Sequence, residues 1–85
     1  MKYLNLVKQA FSEHDCSVYF RKYLNGMLEI VIVVDDYYID RFIDDIQGNE
    51  EEAVDYEFDF MLEALKNKIA YDKAQRRASF QRGNG

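Results

Sequence analysis

Residues 49–65 read NEEEAVDYEFDFMLEAL, and this stretch fits either a β-strand or an α-helix. As a strand, its apolar and acidic residues alternate with a period of two over residues 53–59. As a helix, it opens an apolar stripe with a period of 3.6 that continues far beyond the alternation. The stripe comprises Val54, Phe58, Met61, Leu62, Leu65 and Ile69. Because only the helix accounts for the whole stripe, we predict one helix over residues 50–79, with Asn49 as its cap.

The composition predicts one folded domain. Of the 85 residues, 48% are hydrophobic and 15% are aromatic, which is enough for a packed core. Proline is absent and only four residues are glycine, a composition that favours long regular elements over loops. We place the domain at residues 1–80 and expect residues 81–85 to fray as a tail.

The sequence also predicts a cytoplasmic protein. The single cysteine, Cys16, cannot close an internal disulfide, which is typical of a reducing compartment. Residues 1–15 lack the uninterrupted apolar segment of a secretory signal. The longest apolar run, residues 27–34, contains Glu29 and is far shorter than the ~20 residues of a membrane-spanning helix. We therefore expect no contact with a membrane.

The first half of the chain predicts a helix followed by a β-hairpin. Residues 3–13 carry apolar side chains at helical spacing. Asn25-Gly26 lies between two runs rich in β-branched and aromatic residues, which is the pattern of a two-residue type I′ turn. That turn pairs Lys22 with Glu29, and their opposite charges support the register. Both faces of the hairpin are apolar, so a further element or an external partner is needed to cover the second face.

The next stretch, residues 35–48, predicts a short helix that Asp35 or Asp36 caps and Gly48 ends. Its apolar stripe consists of Ile39, Phe42, Ile43 and Ile46. The predicted fold class is therefore α+β, in the order N-terminal helix, β-hairpin, short helix and long C-terminal helix (αββαα), within a single domain.

The net charge of −5 conceals a strong segregation of charge along the chain. Residues 1–34 have a net charge of +1, residues 35–63 one of −11, and residues 64–85 one of +5. The acidic part of the long helix has about one carboxylate per 3 Å, close to the ~3.4 Å between phosphates in one strand of B-DNA. Such a surface is predicted to occupy the basic groove of a nucleic-acid-binding protein. The alternative is an acidic face that only keeps the protein in solution.

The predicted partner-binding residues fall into two groups. The acidic group comprises Asp36, Asp40, Asp44, Asp45, Glu50, Glu51, Glu52, Asp55 and Asp59. The second group, Tyr19, Arg21 and Tyr23, alternates along one strand of the hairpin, and Tyr and Arg are enriched in interface hot spots. For this second group, packing against a helix is the alternative.

A small, acidic chain of this character resembles phage-encoded inhibitors of host nucleases, including anti-CRISPR and anti-restriction proteins. The resemblance is one of size and charge and extends to no individual residue. It implies a non-enzymatic protein that binds a basic, nucleic-acid-handling partner and inhibits it, by mimicking DNA.

No pattern in the sequence predicts catalysis, a metal site or a cofactor. His14-Asp15-Cys16 places a base near a thiol, but neighbours at a helix-to-strand junction point in different directions. The acidic residues fail the spacing of an EF-hand, because counting back from Gly48 puts Ile43 at the first ligand position. Direct binding of nucleic acid is opposed by the acidic segment, although cations are frequent near the C-terminus.

A second apolar stripe on the long helix predicts, as the alternative function, a homodimeric scaffold or regulatory accessory protein. Its residues are Phe60, Ala64, Asn67, Tyr71, Ala74 and Ala78, with heptad-like spacing and one polar Asn. In an antiparallel pair, the acidic half of each helix lies along the basic half of its mate. Alternatively, the stripe is buried within the monomer, against the hairpin or the first helix.

Overall fold

The computed structural model describes residues 2–44 and 50–83, with side chains up to residue 78. In chain order, its elements are α1 (Lys2–Ala10), β1 (Cys16–Lys22), β2 (Leu28–Val34), β3 (Tyr37–Ile43) and α2 (Glu50–Gly83). The three strands form one antiparallel sheet in the order β1-β2-β3. The α+β class is confirmed, but the described residues form two helices and three strands instead of three helices and a hairpin.

β3 occupies residues for which the sequence predicted a short helix over residues 35–48, and that prediction is wrong. The apolar residues at helical spacing include Ile39 and Ile43, but these two residues also alternate along a strand. Both pack against the core, while Tyr38 and Phe42 are exposed on the other side of the sheet. The strand is favoured because β3 pairs with β2 over its whole length and because aromatic and β-branched side chains fit a pleated surface.

The turn between β2 and β3 consists of Asp35 and Asp36, which the sequence assigned to a helix cap. Asp35 has a φ of 54°, in the left-handed region that aspartate tolerates better than most residues. Its carboxylate accepts a hydrogen bond from the Asp15 backbone N–H at 3.0 Å, and its own N–H donates to the Asp15 carbonyl at 2.8 Å. These bonds tie the turn to the residue that precedes β1.

The hairpin between β1 and β2 forms, but its register differs by one residue from the predicted register. Lys22 pairs with Leu28 instead of Glu29. The loop spans residues 24–26, and the backbone hydrogen bonds that close it enclose three loop residues instead of two. Gly26 adopts a φ of 86° at the end of the loop, which is the position of the left-handed residue in a three-residue hairpin.

This one-residue difference exchanges the two faces of β1. In the observed register, Val18 and Phe20 lie on the core side together with Ile30, while Tyr19 and Arg21 lie on the opposite side. The predicted register would have paired Arg21 with Ile30 and Tyr19 with Ile32, on the side that the helices cover.

α2 runs over Glu50–Gly83, which confirms the helical interpretation of residues 49–65. Its predicted core stripe is buried at Val54, Phe58, Met61, Leu65 and Ile69, and half-buried at Leu62. At ~51 Å, α2 spans most of the 57 Å length of the molecule and extends past the sheet. Within the described ranges, neither helix combines the length and apolar character needed to cross a bilayer. The predicted roles of Asp45, Ile46, Gly48 and Asn49 fall outside the described residues.

The core lies between the inner side of the sheet and the two helices. Phe58 and Leu65 of α2 are fully buried in one cluster with Ile30 and Ile32 of β2. Tyr3 of α1 joins this cluster, with its ring centroid 4.9 Å from that of Phe58. Burial of these side chains supplies the main driving force for folding in a chain of this size.

Phe58→Ala is expected to lower the free energy of unfolding by about 3–5 kcal/mol, because it leaves a cavity in the centre of the core. Phe60→Ala is the matched control, since Phe60 lies two residues away and is 56% exposed. The control should cost less than about 1 kcal/mol. Urea unfolding at low protein concentration measures both values, and equal losses would contradict the assignment of Phe58 to the core.

Candidate protein-binding face

The side of the sheet that faces away from both helices is left uncovered by the described residues. We call it the open face; it consists of Ser17, Tyr19, Arg21, Glu29, Val31, Val33, Tyr38, Asp40 and Phe42, with Tyr23 at the end of the hairpin. Along β2, buried residues alternate with half-buried ones, as expected for a strand that is covered on one side. The open face differs from an ordinary solvent-facing side because much of it is apolar.

Three aromatic side chains dominate the open face. Tyr19 is 59% exposed, Tyr38 58% and Phe42 53%. Val31 pairs with Tyr19 on β1 and Val33 pairs with Tyr38 on β3, so apolar residues connect the two outer strands across β2. Contiguous exposed apolar surface marks interaction sites, and aromatic side chains supply much of the binding energy at such sites.

Tyr23 connects the hairpin loop to the open face. Its hydroxyl donates a hydrogen bond to Glu29 at 2.8 Å, and its ring centroid lies 6.2 Å from that of Phe42. Arg21 pairs with Glu29 on the neighbouring strand, so two rings, a carboxylate and a guanidinium meet at this end. Because Tyr23 is held by its contacts with Glu29 and Phe42, it loses less conformational freedom on binding than an isolated side chain.

Carboxylates outnumber cations on the open face. Glu29 and Asp40 lie within it, and Arg21 is the cation of this set of residues. A second cation reaches its edge from α2, since Lys68 Nζ lies 5.3 Å from the centroid of the Tyr38 ring. Asp36 and Asp44 are exposed at the two ends of β3. The open face is therefore an aromatic surface with an acidic rim, which complements a basic surface on another protein.

The structure brings together part of the predicted partner-binding set and separates the rest. Four of these residues share the open face: Tyr19, Arg21, Tyr23 and Asp40. The predicted cluster of Asp36, Asp40 and Asp44 on a short helix does not form, because β3 spreads these residues over about 25 Å. Asp45 lies outside the described residues.

The predicted acidic residues of α2 lie on the other side of the sheet from the open face; they are Glu50, Glu51, Glu52, Asp55 and Asp59. Several carboxylates of α2 bind cations of other elements. The ion pairs join Lys2 to Glu51 (3.3 Å) and Asp55 (3.1 Å), Lys22 to Glu50 (3.9 Å), and Arg41 to Glu57 (3.4 Å). These contacts fasten α1 and the sheet to α2 and reduce the charge that α2 presents to a partner.

Asp55 contacts two residues of α1. It accepts a hydrogen bond from the Tyr3 hydroxyl at 2.7 Å in addition to the contact with Lys2. The hydrogen bond from Tyr3, followed by that from Lys2, lowers the pKa of the Asp55 carboxyl. Burial, followed by the bond to Asp55, raises the pKa of Tyr3. Asp55 therefore acts in part as a link between the two helices.

The second apolar stripe of α2 is not buried within the monomer. Phe60 is 56% exposed and Tyr71 68%. Asn67 and Ala74 are also exposed, and Ala64 is half-buried. Burial of this stripe against the hairpin or α1, one of the two alternatives for it, therefore does not occur.

The His14-Asp15-Cys16 segment does not place a base against the thiol. His14 Nδ1 lies 2.5 Å from the Asp35 carboxylate, whereas the Cys16 thiol approaches the carbonyls of Phe11 and His14. Burial raises the pKa of the Cys16 thiol, which disfavours the reactive thiolate. Among the residues that the structure describes, no group of three or more His, Cys, Asp or Glu side chains is placed to hold a metal ion.

Sequence reasoning missed Tyr38 and Phe42 as surface aromatics because it assigned them to a helix. The available signal was the alternation in YYIDRFI, where Tyr38 and Phe42 fall on one side of a strand and Tyr37, Ile39 and Ile43 on the other. Their contribution roughly doubles the aromatic surface that Tyr19 and Tyr23 were predicted to form.

Comparisons of the chain with models of protein families, with curated proteins and with solved structures find no match. Its function therefore has to follow from the chemistry of its own surfaces.

Asp55→Asn is expected to lower the melting temperature near neutral pH, because the ionised carboxylate binds Tyr3 and Lys2. The pKa of Asp55 is lowered in the folded state, so its stabilising effect is complete above the ordinary value of 3.8 and is lost as the pH falls below it. The difference in melting temperature between wild type and Asp55→Asn should therefore shrink below about pH 4.

Asp59→Asn provides the control for this experiment, since Asp59 is an exposed carboxylate one turn further along α2. At low protein concentration, its melting temperature should follow that of the wild type across the same pH range. If Asp55→Asn also follows the wild type at every pH, the link between α1 and α2 through Asp55 is refuted.

Proposed function

We propose that this chain is a non-enzymatic binding protein that docks its open face on a basic surface of a nucleic-acid-handling protein and thereby inhibits that protein. One observation carries the proposal. Three exposed aromatic side chains and two carboxylates share a single side of the sheet that no described element covers. Such a surface has the composition of an interface, and no helix or strand among the described residues packs on it.

The aromatic side chains supply the affinity in this proposal. Tyr19, Tyr38 and Phe42 are each more than half exposed, so each has apolar area left to bury against a partner. Tyrosine combines a large apolar ring with a hydroxyl that can keep a hydrogen bond in the interface. Rigid strands hold the three side chains at set distances, which limits the entropy lost on binding.

The carboxylates favour a partner with Lys and Arg at its surface. Glu29 and Asp40 belong to the open face, and Asp36 and Asp44 flank it at the ends of β3. A partner cation that approaches this rim is attracted, and a partner carboxylate is repelled. Basic surfaces of this kind are common on proteins that handle nucleic acids, because they bind phosphate groups.

Nucleic acid itself fits the open face poorly. A platform for single-stranded nucleic acid combines aromatic rings with a groove of positive charge that follows the phosphates. Here Phe42 pairs with Glu29, and Asp40 lies on the same side of β3. The cations, Arg21 within the open face and Lys68 over the Tyr38 ring, lie apart from each other and line no groove. Phosphates would therefore be repelled where they must approach.

The acidic half of α2 has a supporting role in the proposal. Between Glu50 and Glu63, α2 has seven carboxylates and no Lys or Arg. Several of them are paired with cations of other elements, but the chain as a whole keeps a net charge of −5. A negative field speeds the encounter with a basic partner and makes the rate of association sensitive to salt.

Tyr19→Ala and Phe42→Ala are each expected to weaken binding of the partner by about 30-fold, because an aromatic hot spot contributes about 2 kcal/mol. Tyr71→Ala is the matched control, since Tyr71 is 68% exposed but lies on α2. The partner is first isolated from lysate by capture on the wild-type chain, at low salt and at threefold higher salt. Calorimetry in solution then compares the three variants against the purified partner.

The proposal also requires that this chain and the nucleic acid ligand of the captured protein compete for binding to that protein. It fails if Tyr19→Ala and Tyr71→Ala weaken binding equally, or if that nucleic acid leaves the complex intact. It fails as well if the chain alone shifts a single-stranded oligonucleotide in a gel, because the open face would then bind nucleic acid directly.

A further inference from the structure

The side of α2 opposite its core stripe carries a stripe of apolar residues in contact with solvent, and only Phe60 of these has a described ring contact with the sheet, from Arg41 at 5.5 Å. We call it the outer stripe; it consists of Tyr56, Phe60, Ala64, Asn67, Tyr71, Ala74 and Ala78, spaced by three or four residues. Tyr56 is 70% exposed, Phe60 56% and Tyr71 68%. The opposite side of the same helix already forms the core, so the outer stripe is a second and separate apolar surface.

We propose that the outer stripes of two copies of this chain pack against each other as an antiparallel helix pair. The three aromatic side chains of both copies would bury on the order of 700 Å². This is more than half of the ~1,200 Å² of a small specific interface. The small residues between the aromatic ones allow the two helices to approach closely, as in a coiled coil.

The distribution of charge along α2 favours the antiparallel orientation. Its first half, up to Glu63, has seven carboxylates and no Lys or Arg, whereas residues 66–77 have five cations and Asp72. In an antiparallel pair, the acidic half of each helix lies beside the basic half of its mate. In a parallel pair, two acidic halves and two basic halves lie side by side, which is unfavourable.

The residues beside the outer stripe show the same change from acidic to basic along α2. One flank carries, in chain order, Glu52, Asp59, Glu63, Lys66, Lys73 and Arg77, at spacings that keep them on one side of the helix. In a pair related by a two-fold axis, this flank lies beside the same flank of the other copy, which runs in the opposite direction. The acidic residues of one copy then meet the basic residues of the other on both halves of the pair.

The spacing of the outer stripe also defines a register. Heptad positions interlock in an antiparallel pair when Phe60 of one copy lies opposite Tyr71 of the other, with Ala64 opposite Asn67. This register puts the two-fold axis between Ala64 and Asn67, where a single polar residue specifies alignment at some cost in stability. It also brings residue 53 of one copy to residue 78 of the other.

Self-association through α2 leaves the open faces accessible. The outer stripe and the open face lie on different sides of the molecule, because α2 covers the inner side of the sheet. A dimer would present two open faces at once, which raises the apparent affinity for a partner with two sites. The dimer does not depend on the proposed function, since each surface is complete without the other.

The mass in solution tests whether the pair forms. The wild-type chain is expected to sediment with twice the mass of one chain, and Tyr71→Glu to raise the dissociation constant of the dimer by at least about 30-fold. Tyr19→Glu, the same substitution at a 59% exposed site on the open face, should leave the mass unchanged. Circular dichroism verifies that both variants keep their helix content. A monomeric wild type, or a dimer that withstands Tyr71→Glu, would overturn the inference.

Cysteine cross-linking tests the orientation. Ala53→Cys and Ala78→Cys are introduced separately in a Cys16→Ser background. Each variant alone should remain uncross-linked under mild oxidation, and the mixture of the two should form a covalent dimer. Self-cross-linking of either variant would show a parallel pair, and a mixture that stays uncross-linked would refute the register; both results overturn the inference.

Discussion

The whole molecule depends on the packing of one side of α2 against one side of a three-stranded sheet. Phe58 and Leu65 are fully buried in the same cluster as Ile30 and Ile32. Because both described helices lie on this side, no described element covers the opposite side, and the open face stays in water. Because α2 packs with only one side against the sheet, its outer stripe on the opposite side also stays in water. Both candidate interaction surfaces thus follow from one packing arrangement.

The second decisive constraint is the register of the first hairpin. Gly26 has a φ of 86°, and the loop that it ends has three residues, so Lys22 pairs with Leu28. A two-residue loop would shift every pair by one residue and turn Tyr19 and Arg21 toward the helices. Burying the guanidinium of Arg21 there without hydrogen-bond partners would cost free energy. The burial of the core side chains and the loop geometry therefore select the same register, and that register creates the open face.

The charges of the chain serve two different purposes, which the sequence alone did not separate. Asp55, Glu51 and Glu57 bind Lys2, Tyr3 and Arg41, so these carboxylates hold α1 and β3 against α2. Asp40 and Glu29 instead lie on the open face among aromatic side chains. A high density of carboxylates in a sequence is thus no measure of the charge available to a partner, because ion pairs within the fold neutralise part of it.

Local patterns in the sequence determined the long helix, its buried stripe and the presence of a hairpin at Gly26. These features depend on periodicity over many residues and on the backbone freedom of glycine, both of which are local properties. Only the tertiary structure decided that residues 37–43 form a strand, because Ile39 and Ile43 fit a helix and a strand equally well and pairing with β2 selects the strand. The register of the hairpin and the exposure of the outer stripe were likewise decided by which elements lie beside them, and a single sequence does not contain that information.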